Sequence, residues 1–411
     1  MKYTEMSREQ LQTELAHHKA EYAAHQSRGL KINATRGKPN AEQLALADAL
    51  LTLPSTHIAS DSTDVRNYGG ADGLPEMKQL FADLLGVTPQ EVIVGGNASL
   101  NMMFDCIATL ILSGVWQRGQ KFLCPAPGYD RHFAICEYFG LEMLTIPMTP
   151  DGPDMDIAER LAADPNVVGM WCVPVFSNPQ GYTYSDETIR RLAAMPVANA
   201  AFALLWDNAY AIHHFKGVRP QPLNILRECE RVGNACRPII FTSFSKISYA
   251  GSGVVAMASC VENLNFFRKR INVQTIGPDK INQLRHVEFF RDVAGIQAHM
   301  DKHAAILRPK FERAYTLLSE RLTQTNAEWT TPDGGYFLSV EVPGCAKRIY
   351  ALCREAGLEI TEAGAAYPYG KDPLDANLRF GPSFLRQDEI DPAMDVLCSA
   401  INVAAIEQVL G

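Results

Sequence analysis

Apolar residues along this chain follow two alternating rhythms. Leu74, Met77, Leu80, Phe81, Leu84 and Leu85 recur at the spacing of one helical face, and Gly86 stands where such a helix would end. Short, nearly continuous apolar runs follow: EVIV at 91–94, KFLCP from 121, EMLTIP from 142, VVGMWCVPV from 167, FALLW from 202, RPIIFTS from 237 and VVAMAS from 254. Most are separated by stretches long enough for a helix, such as Leu100–Leu112 and Thr188–Met195. Strands apolar on both faces and alternating with helices predict an α/β fold, a mainly parallel seven-stranded sheet sandwiched by helices. The ligand site of such a sheet lies beyond the carboxyl ends of its strands.

After about residue 261 the rhythm changes. Helical periodicity runs from Asn263 to Leu322, followed by YFLSVEV at 336–342, a helix to Gly357, LEI, NLRF and a last helix. This predicts a second, smaller α+β unit reached through a long helix, with no low-complexity linker between the two. The chain has 411 residues, 47% apolar and 20% charged, which excludes a disordered or fibrous protein. Its formal charge of −8 and the lack of a basic cluster argue against binding nucleic acid or an anionic membrane. The opening MKYTEMSREQLQTELAHHKAEY carries charges throughout and reads as an amphipathic helix without signal-peptide features, so the protein is expected in the cytoplasm. The ten cysteines form no Cys-x-x-Cys pair and are expected to be reduced and mostly buried.

Polar residues with chemical potential cluster at the strand ends. In TSFSKISYAGSGVVA a strand runs into Ser243, Ser245 and Lys246 before a turn containing Gly251 and Gly253. A surface lysine is ordinarily solvated; buried, its amine deprotonates and can add to a carbonyl cofactor. FALLW ends in Asp207, with Tyr210 three residues on. Asp207 either caps a helix or pairs with a cation, and a protonated pyridine nitrogen is a partner that would make chemical use of it. Asn178 in SNPQG belongs to an ordinary turn or donates, like Tyr210, to a ring phenolate. The segment GGNASLNMMFD after EVIV is either a tight turn or a helix start whose N–H groups bind a phosphate. Tyr129 in PAPGYDRH is either core or stacked on a flat ring. His299 and His303 have the spacing of paired metal ligands but lack a third ligand and the HExxH glutamate, so no metal site is assigned. His213 and His214, which follow WDNAY, either border the site or lie in a solvated loop, and the solvated loop is expected.

Taken in order, NATRGKPN, NYGGADGL, GGNASL, PAPGYDRH, SNPQG, WDNAY, SFSKISYAGSG, IGPDKINQLRH, PDGGYF, GAAYPYGKDP and NLRFGPSF resemble the fold-type I pyridoxal phosphate aminotransferases of the class I and II superfamily. The resemblance covers nearly the whole chain. It is nearest to the aspartate aminotransferase 1C subgroup, related to the aminotransferase module of MocR-type proteins. It implies an enzyme transferring amino groups between aspartate and 2-oxoglutarate by a ping-pong mechanism. The implied division is an N-terminal helix and arm (1–45), a large cofactor-binding domain (46–295) and a small domain (296–411). Lys246 would hold pyridoxal 5′-phosphate as an internal aldimine and shuttle a proton, and Asp207 would pair with the pyridinium. Asn178 and Tyr210 would bind the ring oxygen, and Tyr129 would stack. Gly96, Asn97, Ala98, Ser243 and Ser245 would bind the phosphate, with Tyr68 reaching it from the second subunit of a homodimer. Arg379 would clamp the substrate α-carboxylate, assisted by Asn178 and the backbone of Gly37.

Two departures stand out. Relatives carry a phosphate-binding arginine about eight residues after the lysine, where this chain reads AGSGVV; Lys280 is the candidate replacement, serving the partner's site. A distal-carboxylate arginine near Ile271–Thr275 has no clear counterpart, and Arg36 is the candidate, against a surface ion pair as its ordinary role. Two rival readings remain: another reaction on the same cofactor, such as a β-lyase, or a regulatory protein keeping the fold. The roughly 35 residues before TRGKP are too few for a DNA-binding domain.

Overall fold

The structure, a computed structural model, describes residues 1–217 and 219–411. In chain order its strands are β1 (Ile32–Asn33), β2 (Val92–Val94), β3 (Lys121–Ala126), β4 (Glu142–Thr149), β5 (Gly152–Pro153), β6 (Val167–Cys172) and β7 (Ala203–Asp207). They continue with β8 (Pro238–Ser243), β9 (Val255–Ala258), β10 (Glu328–Trp329), β11 (Leu338–Glu341), β12 (Leu358–Glu359) and β13 (Asn377–Phe380). The main sheet has the order β2-β9-β8-β7-β6-β3-β4-β5. Pairing is parallel from β8 through β7, β6 and β3 to β4, whereas β9 runs against both its neighbours. The seven apolar runs form seven of these strands. The eighth, β5, corrects the expected count: it is a two-residue antiparallel return on the β4 edge, too short to leave an apolar run. Gly152 makes that return at φ +123°, where a Cβ would lie 2.9 Å from Thr188 Cγ2.

The two-residue period of each strand divides its side chains between two cores. Val92, Val94, Leu204 and Trp206 face one, shared with Met77, Leu80 and Phe81 of the helix Pro75–Leu85 and with Ile189 and Leu192 of Asp186–Ala194. Ile93, Ala203 and Leu205 face the other, with Ile107 of Ser99–Leu112 and Phe133 of Asp130–Phe139. Each large apolar side chain so buried contributes about 1.5–3 kcal/mol. The helix Pro75–Leu85 stops at Gly86, which takes the left-handed conformation at φ 65°.

Between residues 261 and 321 the helical pattern resolves into Val261–Gln274, Lys280–Phe290 and Val293–Arg321. Pro278 and the capping carboxylates of Asp279 and Asp292, which accept from Asn282 N and Gly295 N, set the breaks. A third core lies around the antiparallel sheet β10-β11-β13, covered by Ala346–Glu355 and Gln387–Leu410. The helix Gln387–Leu410 is long and apolar enough to cross a membrane by composition, but most of it is buried in this core. The helix Arg8–Ser27 packs along it, and β1 pairs in parallel with β12, tying the N-terminal segment to the same unit.

One cysteine expectation is overturned: Cys236 and Cys260 are joined by a disulfide. The first directly precedes the β8 segment and the second caps the helix after β9, so the antiparallel β8–β9 pair brings them together. The other eight cysteines are buried thiols.

Candidate active site

The carboxyl ends of β6, β7 and β8 and the start of the helix after β3 meet the small unit around a cavity of about 570 Å³. Its walls include Tyr129, Asn178, Asp207, Tyr210, Lys246 and Arg379, which are separated by as many as 250 residues in sequence, together with Thr35–Lys38. Asp207, Lys246 and Tyr129 are delivered at or just beyond strand ends. Asp207 is the last residue of β7, Lys246 lies three residues past β8, and Tyr129 is the residue before the helix Asp130–Phe139. Arg379 sits inside β13, opposite Ser339 of β11.

Lys246 faces into this cavity with its Nζ 4.8 Å from the centre of the Tyr210 ring. Burial lowers its ammonium pKa, opposed by the nearby Asp207 carboxylate. Asp207 is 4% exposed. Its Oδ2 lies 3.0 Å from His132 Nε2, and that imidazole is stacked on Trp171 at 4.0 Å. Its Oδ1 is buried and has no hydrogen-bond partner among the described residues. A buried carboxylate oxygen left unpaired costs on the order of 1–3 kcal/mol, which a protonated nitrogen in the cavity would offset. The Tyr210 hydroxyl is held protonated by burial, then by Tyr129 and Asp207, and Tyr129 is pushed up to about 12 for the same first reason. Both phenols are therefore hydrogen-bond donors at neutral pH.

Arg379 is buried and held on three sides. Its Nε donates to Thr361 Oγ1 at 3.0 Å, and its Nη1 donates to Asp130 Oδ1 at 2.9 Å and to Asn178 Oδ1 at 3.3 Å. The guanidinium carbon lies 5.0 Å from the Phe337 ring centre. Asn178 thus turns its carbonyl oxygen to the arginine, which leaves its NH₂ as the donor for other groups. Gly37 is needed where it is: a Cβ there would fall 2.6 Å from Phe337 Cζ and 2.9 Å from Tyr336 Cβ.

Behind the lysine a chain of side chains pairs with the backbone that carries it. The Tyr336 hydroxyl donates to Lys246 O at 2.9 Å and accepts from Gln43 Nε2 at 3.1 Å. His299 Nε2 bonds Ile247 O at 2.6 Å, and His303 bridges His299 and Gln43. The two histidines of HMDKH are accordingly spent on the backbone that carries Lys246.

Other sequence-derived candidates lie outside the cavity. Gly96, Asn97 and Ala98 line an adjoining recess of about 290 Å³ between Ser99–Leu112 and Val261–Gln274, while Ser99 and Leu100 reach the main cavity. Ser243 is buried at the end of β8, and Ser245 Oγ donates to Asn97 O at 2.7 Å. That contact places the two proposed phosphate-binding segments side by side. Gly253 permits it, since a Cβ there would come 2.8 Å from Ser245 N. Tyr68 is 81% exposed and is not among the residues lining the cavity. Lys280 is buried with its Nζ donating to Gly69 O at 2.7 Å. Arg36 lines the cavity, but so do Lys38 and Arg131.

The expected solvated loop at His213 and His214 is a second correction: both are buried. Gly335 N donates to His213 O, and a bridge joins His214 to Gly334, so the PDGGYF turn covers them. His213 packs edge-on against Tyr210 and Tyr336, and burial followed by the Lys246 charge keeps it neutral. Sequence reasoning also missed His132, Asp130 and Thr361. The first two stand within the quoted PGYDRH, and a histidine three residues after Tyr129 on the same helix was the available signal.

Comparison with known proteins places the chain in a family. The sequence profile of the aspartate amino-transferase family matches residues 6–411. The aspartate aminotransferase of Corynebacterium glutamicum is 46% identical over 393 residues, spanning 93% of this chain and 91% of that protein. The crystal structure of an aspartate transaminase from C. glutamicum superposes with a TM-score of 0.95 at 42% identity, covering 100% of this chain and 99% of the other. The α-aminoadipate aminotransferase of Thermus thermophilus, solved with N-(5′-phosphopyridoxyl)-L-leucine, shares the fold at a TM-score of 0.74 and 21% identity, over 92% of this chain and 94% of that one. The fold is that of the fold-type I pyridoxal phosphate aminotransferases. The chain belongs, within them, to the aspartate aminotransferase family and is an aminotransferase.

Proposed function

We propose that the enzyme binds pyridoxal 5′-phosphate and moves amino groups between aspartate and 2-oxoglutarate by a ping-pong reaction, in the cytoplasm. The observation that carries this reading is the pairing, across one cavity, of a buried amine of lowered basicity with a buried carboxylate that has one oxygen unpartnered. The 46% identity to a named aspartate aminotransferase supports the substrate. Bound here, the cofactor supplies an electrophilic aldehyde and an electron-withdrawing pyridine ring that acidifies the substrate Cα–H.

This chain's residues do the rest. Lys246 Nζ would hold the cofactor through its aldehyde and, once displaced by substrate, would carry the proton taken from the substrate Cα. Asp207 Oδ1 would hold the proton on the ring nitrogen, with His132 Nε2 keeping Oδ2 fixed. The Asn178 NH₂ and the Tyr210 hydroxyl would donate to the ring oxygen, and Tyr129 would stack on the ring. Gly96, Asn97, Ala98, Ser243 and Ser245 hold the phosphate with N–H and hydroxyl donors at the start of Ser99–Leu112. Arg379 clamps the α-carboxylate against Gly37 and Asn178, with Arg36 placed for a distal carboxylate.

Two such chains would share their sites as a homodimer. Tyr68, Val273 and Ile276 are exposed around the Lys280–Gly69 link, which suits an apolar interface bringing Tyr68 and Lys280 toward a partner's phosphate. A half-reaction tests the substrate: single amino acids are added to the coloured enzyme and loss of its absorbance is followed. Glutamate and aspartate are expected to bleach it without releasing pyruvate or ammonia. Bleaching by neutral or aromatic amino acids alone would overturn the dicarboxylate reading.

A further inference from the structure

The guanidinium read above as the substrate clamp already has a carboxylate on it. Asp130 Oδ1 lies 2.9 Å from Arg379 Nη1, and the arginine side chain is 6% exposed against 30% for the aspartate. Asp130 opens the helix after β3, and Arg379 comes from β13 of the small unit, so the pair spans the cavity between the two. A carboxylate binds an arginine best through two parallel N–H bonds on one edge of the fork. Neither edge is clear. Nη1 serves Asp130 and Asn178, and Nε serves Thr361. Of these partners only Asp130 is charged, and an incoming carboxylate would meet it as a like charge on one buried cation. Asp130 also has somewhere else to go: Arg131 Nε lies 3.8 Å from its Oδ2 and is 47% exposed.

We propose that Asp130 is a built-in competitor for the carboxylate seat: it neutralises Arg379 while the cavity holds no substrate and yields, toward Arg131, when a substrate carboxylate arrives. It acts through Arg379 and is therefore a positioning residue that sets the affinity for all carboxylate substrates. The proposal rests on the reading of Arg379 as the clamp.

The consequence is a pair of opposite signs that a purely structural ion pair would not produce. Removing the Asp130 charge leaves Arg379 buried without a counter-ion, so the unliganded protein loses stability, while the competition for substrate disappears. The test uses the cofactor-loaded enzyme and succinate, a dicarboxylate that cannot react, with binding read from the cofactor's absorbance and stability from thermal melting. In D130N, and in D130S in case the amide reproduces the contact, the succinate Kd is expected to fall roughly five- to tenfold while the melting temperature drops. R379K is expected to bind succinate at least tenfold more weakly, about the loss of one charge-assisted bond. If both Asp130 variants bind succinate no better than the parent while R379K binds poorly, Asp130 orients the arginine rather than competing with substrate, and the proposal is overturned. Parent-like succinate binding by R379K would overturn the clamp assignment itself, and the proposal with it.

Discussion

The peptide segment bearing Lys246 has two contrasting sides. On the cavity side stand a buried amine, a carboxylate oxygen with no partner and two phenols driven to stay protonated. On the other side, Tyr336 bonds the lysine's own carbonyl and His299 the next one, with Gln43 and His303 completing the chain. Unpaired buried polar groups cost stability, and paired ones return it. The cavity side is thus kept at a cost for binding and chemistry, while the back fixes the direction from which the amine approaches.

Lysine removal should separate the two most sharply. Lys246→Met is expected to lower the transfer rate by roughly 10³-fold or more, since it removes the amine assigned to carry the proton. The same change should raise the melting temperature of the cofactor-free protein at neutral pH. The sign follows from linkage: a lysine whose folded pKa lies below 10.5 costs stability where the unfolded chain would be protonated. The gain should therefore shrink as pH rises toward the ordinary lysine value, and a gain that grew with pH would contradict the account. Next in size is Asp207→Asn, which keeps an acceptor for His132 but cannot hold a proton on a ring nitrogen. Its kcat should fall about 10²-fold while the melting temperature of the cofactor-free protein changes little. An equal loss of stability would place Asp207 with the structural side. The smallest effect belongs to the back. Tyr336→Phe should cost about 1 kcal/mol in denaturant unfolding with only a few-fold drop in kcat, because it removes one buried hydrogen bond and moves no charge.

The two sides also differ in how far the sequence revealed them. Lys246, Asp207 and Asn178 could be placed because each ends or follows a continuous apolar strand, and in a parallel sheet all such ends converge. The contacts that tune them come from far along the chain: Arg379 to Asp130 across 249 residues, Tyr336 to Lys246 across 90, Asp207 to His132 across 75. Which residues meet at those separations depends on the order of strands in the main sheet for Asp207 and His132, and on how the small unit docks for the other two, and no local pattern encodes either. Burial of His213 failed for the same reason, since its cover is Gly334–Gly335. The Cys236–Cys260 link needed the β8–β9 pairing to be known as antiparallel. The edge strand β5 was simply too short for its pattern to register.

The central claim is that the amine at position 246 carries the cofactor and that the carboxylate at 207 faces the ring. Borohydride reduction of the coloured enzyme followed by peptide mapping tests it directly. The account predicts one phosphopyridoxyl label, on the peptide containing Ser245-Lys246-Ile247. A label on any other lysine, or a protein that takes up no pyridoxal phosphate, would contradict it.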